Sequence, residues 1–211
     1  FEKWQKCFDC GQFFHGAVDL ALGWACWKTY LGRPESNGFR CMALGALGEA
    51  LLRNPTSRLE EALPLLEASL ALRRRYCDET AILVAQNNLA TCLGQLERHD
   101  EALVVFRAIY ARRAVILGDS HDRTISSGNN VAAVLLKIHQ WDEAKTLLRD
   151  KLRPVARRSL GVDHDITLTI DQHLALAIAD SPERTRADLL EAETILQDAV
   201  QRRRRVFGPA H

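Results

Sequence analysis

The strongest constraint on the fold of this 211-residue chain is its resemblance to itself at a period of about 42 residues. Gln86-Asn87-Asn88-Leu89-Ala90 recurs as Gly128-Asn129-Asn130-Val131-Ala132, and in degenerate form as Asp171-Gln172-His173-Leu174-Ala175. Asp100-Glu101-Ala102 returns as Asp142-Glu143-Ala144, with weaker copies at Glu60-Glu61-Ala62 and Leu190-Glu191-Ala192. Each unit closes on basic residues and a turn. Arg112-Arg113 leads to Leu117-Gly118-Asp119-Ser120-His121-Asp122-Arg123-Thr124, and Arg157-Arg158 leads to Leu160-Gly161-Val162-Asp163-His164-Asp165-Ile166-Thr167. The last copy runs from Arg202 through Arg205 to Phe207-Gly208-Pro209-Ala210-His211; the first keeps Arg73-Arg74-Arg75 but degrades its turn.

Within a unit the apolar period is helical. Leu83, Leu89, Ala90, Leu93 and Leu96 share one stripe over 83–97, and Ala102, Phe106, Ile109 and Leu117 share another over 100–117. Asp100 reads as a cap of the second helix and Gly118 as its stop. Two short amphipathic helices per unit must bury their stripes against neighbours, which predicts an all-α, right-handed α-solenoid of helix pairs. The expected units are 39–80, 81–124, 125–167 and 168–211. Ahead of them, residues 1–38 hold a Cys-x-x-Cys…His element and a diverged half-repeat whose helix spans 16–31. Asp180-Ser181-Pro182-Glu183 lengthens one inter-helix loop, and Pro154 should kink the second helix of the third unit.

Lys and Arg total 28 against 27 Asp and Glu, a formal net charge of +1, which argues against a general nucleic-acid binder. No run approaches the ~18 apolar residues of a membrane span. Six cysteines, spaced unlike those of a disulfide-dense module, point to a reducing compartment and a cytoplasmic protein. Both termini read as cuts in a longer polypeptide, with apolar surface at the last repeat offering a route to self-association.

These landmarks resemble the kinesin light chain type of tetratricopeptide repeat. That type has 42-residue units, an Asn-Asn-Leu-Ala first helix, a Glu-Ala start to the second and a closing Leu-Gly-x-x-His-x-x-Thr. The resemblance covers residues 39–211. The stretch from Cys7 through Tyr30 is instead similar to repeat proteins of marine microalgae that join such a segment to the same repeats. No heptad coiled coil of the kind that binds a motor heavy chain is present.

The resemblance implies a concave groove lined by first helices and a partner protein or peptide held in it. By position, Asn87, Thr91 and Gln95 face that groove in the second unit, Ser126, Asn129, Ala133 and Lys137 in the third, and Gln172 and Asp180 in the fourth. An asparagine amide both donates and accepts, so it can clamp peptide backbone. Asn88 and Asn130 compete for a different task, bonding neighbouring helices. The arginine pairs recur at one repeat position, where a cation suits the negative end of a helix dipole.

Enzymatic readings find little purchase. Of the His-Asp pairs at 99/100, 121/122 and 164/165, two share one turn position, 43 residues apart, as turn residues whose histidines bond backbone. No phosphate loop, nucleophile elbow or His-Glu-x-x-His is present. Cys7, Cys10 and His15 supply three zinc-ligand types where a structural site needs four, so no cofactor is expected of this chain, and a structural zinc only of a longer protein. Trp24, Trp27 and Trp141 are expected in packing. The expected function is a non-enzymatic protein–protein interaction scaffold, with an architectural or regulatory arm of a zinc-finger protein as the alternative.

Overall fold

The computed structural model describes residues 16–53 and 58–208, and all structural statements concern these. They fold into helices without a strand: α1 (Gly16–Tyr30), α2 (Gly38–Leu52), α3 (Leu59–Tyr76), α4 (Glu79–Gln95), α5 (His99–Leu117), α6 (Asp122–Lys137), α7 (Trp141–Thr146), α8 (Arg153–Ser159), α9 (Asp165–Ala179) and α10 (Arg186–Phe207). A π-helical stretch, Leu147–Leu152, joins α7 to α8. The chain divides into two compact units, Phe1–Ala102 and Leu103–His211.

In the first unit α2 packs on α1 and α3, and α3 on α4. Leu47, Leu51, Ala62, Leu66 and Cys92 form its sealed core, with Leu20 and Trp27 of α1 packed against it. Each fully buried leucine contributes about 1.5–3 kcal/mol by leaving water. Trp27 thus packs as its spacing predicts, but Trp24 does not: it is 39% exposed. Asp19 anchors α1 instead, accepting from Arg53 Nε at 2.9 Å and Nη2 at 3.3 Å while itself buried.

In the second unit α6 packs on α7, the π stretch and α8, and α9 packs on all of these and on α10. Ile125, Leu135, Leu148, Leu168, Ile170, Leu174 and Ile178 are its largest sealed side chains. Ala144 to Gly161 is one residue longer than Ala102 to Gly118. The π turn absorbs the surplus residue. Buried positions Ala102, Phe106, Ile109 and Arg113 are spaced four, three and four; Ala144, Leu148, Leu152 and Ala156 are spaced four throughout, so the stripe stays inward. In place of the kink expected at Pro154 stands a wide turn, which closes with Arg153 N donating to Leu148 O, immediately before the residue that has no N–H to give.

Helix ends correct two other expectations. α4 starts at Glu79, capped by Asp78, whose Oδ1 accepts from Ala81 N at 2.8 Å. Asp100 lies inside the first turn of α5, which starts at His99. Gly118 and Gly161 end their helices with φ of +84° and +96°, where a side chain would be strained. The inter-helix turns at Glu97 and His139 share a left-handed residue with φ of 61°, closed by Arg98 N to Leu93 O and Gln140 N to Leu135 O, each at 2.9 Å.

Two helical glycines should respond oppositely to substitution. A Cβ on Gly128 would sit 2.6 Å from Leu152 Cδ2 and 3.1 Å from Tyr110 Cε2, whereas one on Gly94 meets only Ala102 Cβ at 3.9 Å. Gly128→Ala is expected to lower stability by about 1–3 kcal/mol through overpacking, and Gly94→Ala to raise it by about 0.5–1 kcal/mol. Urea unfolding followed by circular dichroism reads both signs.

Candidate functional site

The residues expected to face a groove lie on the stripes of α4, α6 and α9 that packing leaves uncovered. On α6, Thr124, Ile125, Ser127, Gly128, Val131, Ala132, Val134 and Leu135 are buried. Ser126, Asn129 and Ala133 are half-buried between them, and Lys137 is exposed. On α4, Asn87 and Thr91 are half-buried and Gln95 exposed; on α9, Gln172 is half-buried and Asp180 exposed at the helix end. Thr91 Oγ1 is spent on the helix itself, donating to Asn87 O at 2.9 Å.

The asparagines divide their labour differently from the sequence reading. Asn88 Nδ2 donates to Glu49 Oε1 on α2 at 2.5 Å, and Glu49 also meets Arg53 at 3.5 Å. With Asp19, these side chains tie α1, α2 and α4 along one face, so Asn88 stacks helices as its alternative role predicts. Asn129, expected to serve a ligand, also joins two helices: its Oδ1 accepts from Nδ1 of His173 on α9 at 2.8 Å. Its Nδ2 remains for other use. The uncovered stripe of α9 further carries Leu176, 43% exposed. The sequence reading passed over it, although it stands 43 residues after Ala133, at the same repeat position.

The arginine clusters are structural at their inner members. Arg73 is buried and donates Nη1 to Ala81 O at 3.0 Å, at the start of α4. Arg113 repeats the contact on α6, donating to Ser127 Oγ at 2.7 Å and Arg123 O at 3.3 Å. Burial, with Arg123 close by, pushes its guanidinium below the ordinary arginine range. Arg153 Nε and Arg157 Nη2 converge on buried Asp171, at 2.6 and 2.9 Å. Arg203 reaches Asp165 at 3.1 Å. His121 and His164 are the helix caps their recurrence predicts, each Nδ1 accepting a backbone N–H two residues on at 3.2 Å. His99 is not; its Nδ1 is buried without a partner.

Cys7, Cys10 and His15 lie outside the described residues. Among the described residues no group of three His, Cys, Asp or Glu is arranged to hold a metal ion. Nor is any helix there long and apolar enough to cross a membrane. Cys26, Cys41, Cys77 and Cys92 are free thiols, and Cys26 is fully buried, in keeping with a core role.

Family comparison accords with this geometry. A tetratricopeptide repeat model matches residues 39–113 and 81–153, and a second of the same description matches 183–211. These cover more than half of the chain, which belongs to the tetratricopeptide repeat family. The fold is similar to nearly identical TPR-like repeats described as a kinesin light chain of Podosopora anserina, at 19% identity and a TM-score of 0.69, over 90% of this chain and 88% of that one. A single-substitution form of those repeats gives 0.70 at 19%, over 89% and 86%. BtubC (BKLC) from P. vanneervenii gives 0.62 at 13% identity, over 87% and 82%. No curated protein matches the chain in sequence.

The His173–Asn129 contact carries a pH signature. Burial lowers the His173 pKa from its ordinary 6.5, so between the lowered value and about 6.5 the folded chain binds fewer protons than the unfolded one. Stability is therefore full above pH 6.5 and falls as pH drops through that window. His173→Gln keeps a donor for Asn129 without the titration. The melting temperature of wild type is expected to fall more steeply than that of the variant between pH 7.5 and 5, measured by scanning fluorimetry.

Proposed function

We propose that the chain is a non-enzymatic protein–protein interaction scaffold that holds a partner peptide on the uncovered faces of its first helices. The observation that carries this reading is the stripe on α6 and α9. Asn129, Ala133 and Lys137, with Gln172 and Leu176, combine an amide donor, a cation and an apolar side chain on helices whose other faces are buried. An extended peptide or short helix needs that mixture: polar groups to fix its backbone and an apolar site to gain affinity. In the first unit, Asn87, Thr91 and Gln95 offer a comparable polar stripe on α4.

Asn129 is a poor test residue, since its loss would also disturb α9. Lys137→Glu with Leu176→Ser alters two exposed groups and should leave the melting temperature within about 2 °C. Affinity capture from lysate is expected to retain partners on the wild type that the double variant loses. Equal capture by both would move the reading to an architectural spacer.

Self-association through α10 is a second reading, favoured by Leu189, Leu190, Val200 and Val206, which are 45, 57, 39 and 47% exposed. Light scattering at rising concentration should then show dimers that Leu190→Glu disperses; a monomer at every concentration would end this reading.

A further inference from the structure

A separate feature of the first unit lies away from the α4 stripe. Trp27 of α1, Leu44 of α2 and Ala68, Ala71 and Leu72 of α3 line an open cavity of about 400 Å³, rimmed by Arg40, Arg75 and Glu35. The floor is apolar: Leu44 is sealed, and Trp27 packs against the core. The two alanines, exposed on α3, hold the cavity open where larger side chains would close it. Its volume suits a body of small-ligand size.

The rim is unbalanced in charge and in hydrogen bonding. Arg40 spends Nη1 on Arg33 O at 2.5 Å, while its Nε is shut from solvent without a partner. Arg75 is held only loosely, its Nη1 3.8 Å from Glu35 Oε2 with both side chains more than half exposed. Two guanidiniums therefore face one carboxylate across an apolar cavity. A ligand carboxylate would balance the charge of the rim and could displace Glu35 from Arg75.

We infer that this cavity binds an apolar carboxylate, its hydrocarbon or aryl body against Trp27 and Leu44 and its carboxylate between Arg40 and Arg75. Glu35 is the internal competitor for the same cations. The carboxylate belongs either to a free small molecule or to the end of a polypeptide with a bulky apolar last residue. The recognising chemistry is the same.

Calorimetric titration of the whole chain with octanoate, octanol and octylammonium tests this, with amide NMR to locate the site. Octanoate is expected to bind at least tenfold more tightly than the other two, shifting the Trp27 indole N–H. Arg40→Gln should cost octanoate about tenfold, the loss of one charge-assisted contact, and leave octanol unchanged. Glu35→Gln should tighten octanoate several-fold by removing the competitor. Ala71→Phe, at an exposed helical position, should abolish binding by filling the cavity while the fold persists. A peptide ending in phenylalanine, compared as free acid and as amide, separates the two sources: a free acid that outbinds octanoate assigns a chain terminus, and one that binds more weakly assigns a small molecule. Octanoate binding no better than octanol, or indifferent to Arg40→Gln and Ala71→Phe, would overturn the proposal.

Discussion

The stacking of these helix pairs depends on a buried arginine that bonds neutral oxygens of the next helix. Arg73 and Arg113 end second helices, and each turns inward to bond the opening turn of the next first helix. A guanidinium taken from water and left alone would cost several kcal/mol, on the order of 3–5 when a partner is removed. Here carbonyl oxygens, a serine hydroxyl and the negative end of its own helix offset that cost. The contact is directional where apolar packing is not. It sets where the next helix begins relative to the last, which a stripe of leucines and alanines cannot do. Gly45 fits the same scheme: a Cβ there would stand 2.8 Å from Arg73 Nη2, so the guanidinium lies in a space that a larger residue would take.

The third unit shows what happens when that arginine is missing. Its one-residue surplus puts Ala156 in the place of Arg113, and the basic residues on either side, Arg153 and Arg157, project instead toward α9. Asp171 meets them there. It occupies the position that Gly128 holds in the preceding repeat, where Leu152 and Tyr110 leave no room for a side chain. The π turn, the displaced arginines and the buried aspartate are one compensated change. Taken separately they are a surplus residue, a misplaced proline and a charge in a core. Taken together they preserve a bond between second helix and next first helix by other atoms.

This explains how much of the molecule was legible beforehand. Helical period, the Asn-Asn landmark and the Gly-x-x-His turn are local signals, and the helices and their histidine caps follow from them. That Ser126, Asn129, Ala133 and Lys137 are less buried than most of the residues between them on α6 follows from the apolar pattern as well. The destination of long polar side chains does not. Periodicity places Asn88 and Asn129 on a helix but is silent on whether Glu49 or His173 waits across the gap. Trp24 misled for a related reason. An aromatic three residues from another reads as shared packing, yet only Trp27 meets the core while Asp19, on the same helix, is buried by Arg53.

The polar bonds between first helices bear on how the uncovered face can work. Had Asn129 been free to serve a ligand with both its groups, its rotamer would have to be ordered on binding, at an entropic cost. His173 already holds the carbonyl, so the orientation of the Asn129 amide is fixed by packing. Asn88 is held in the opposite sense, its Nδ2 spent on Glu49. A scaffold assembled from short helices that are marginal alone gains rigidity from both bonds, and at Asn129 the bond that joins two helices also fixes the orientation of the amide. Under the proposed function, a substitution that strips the Asn129 amide acts on stability and on binding together. Lys137 and Leu176, which contribute to the surface without joining helices, are where the two effects separate.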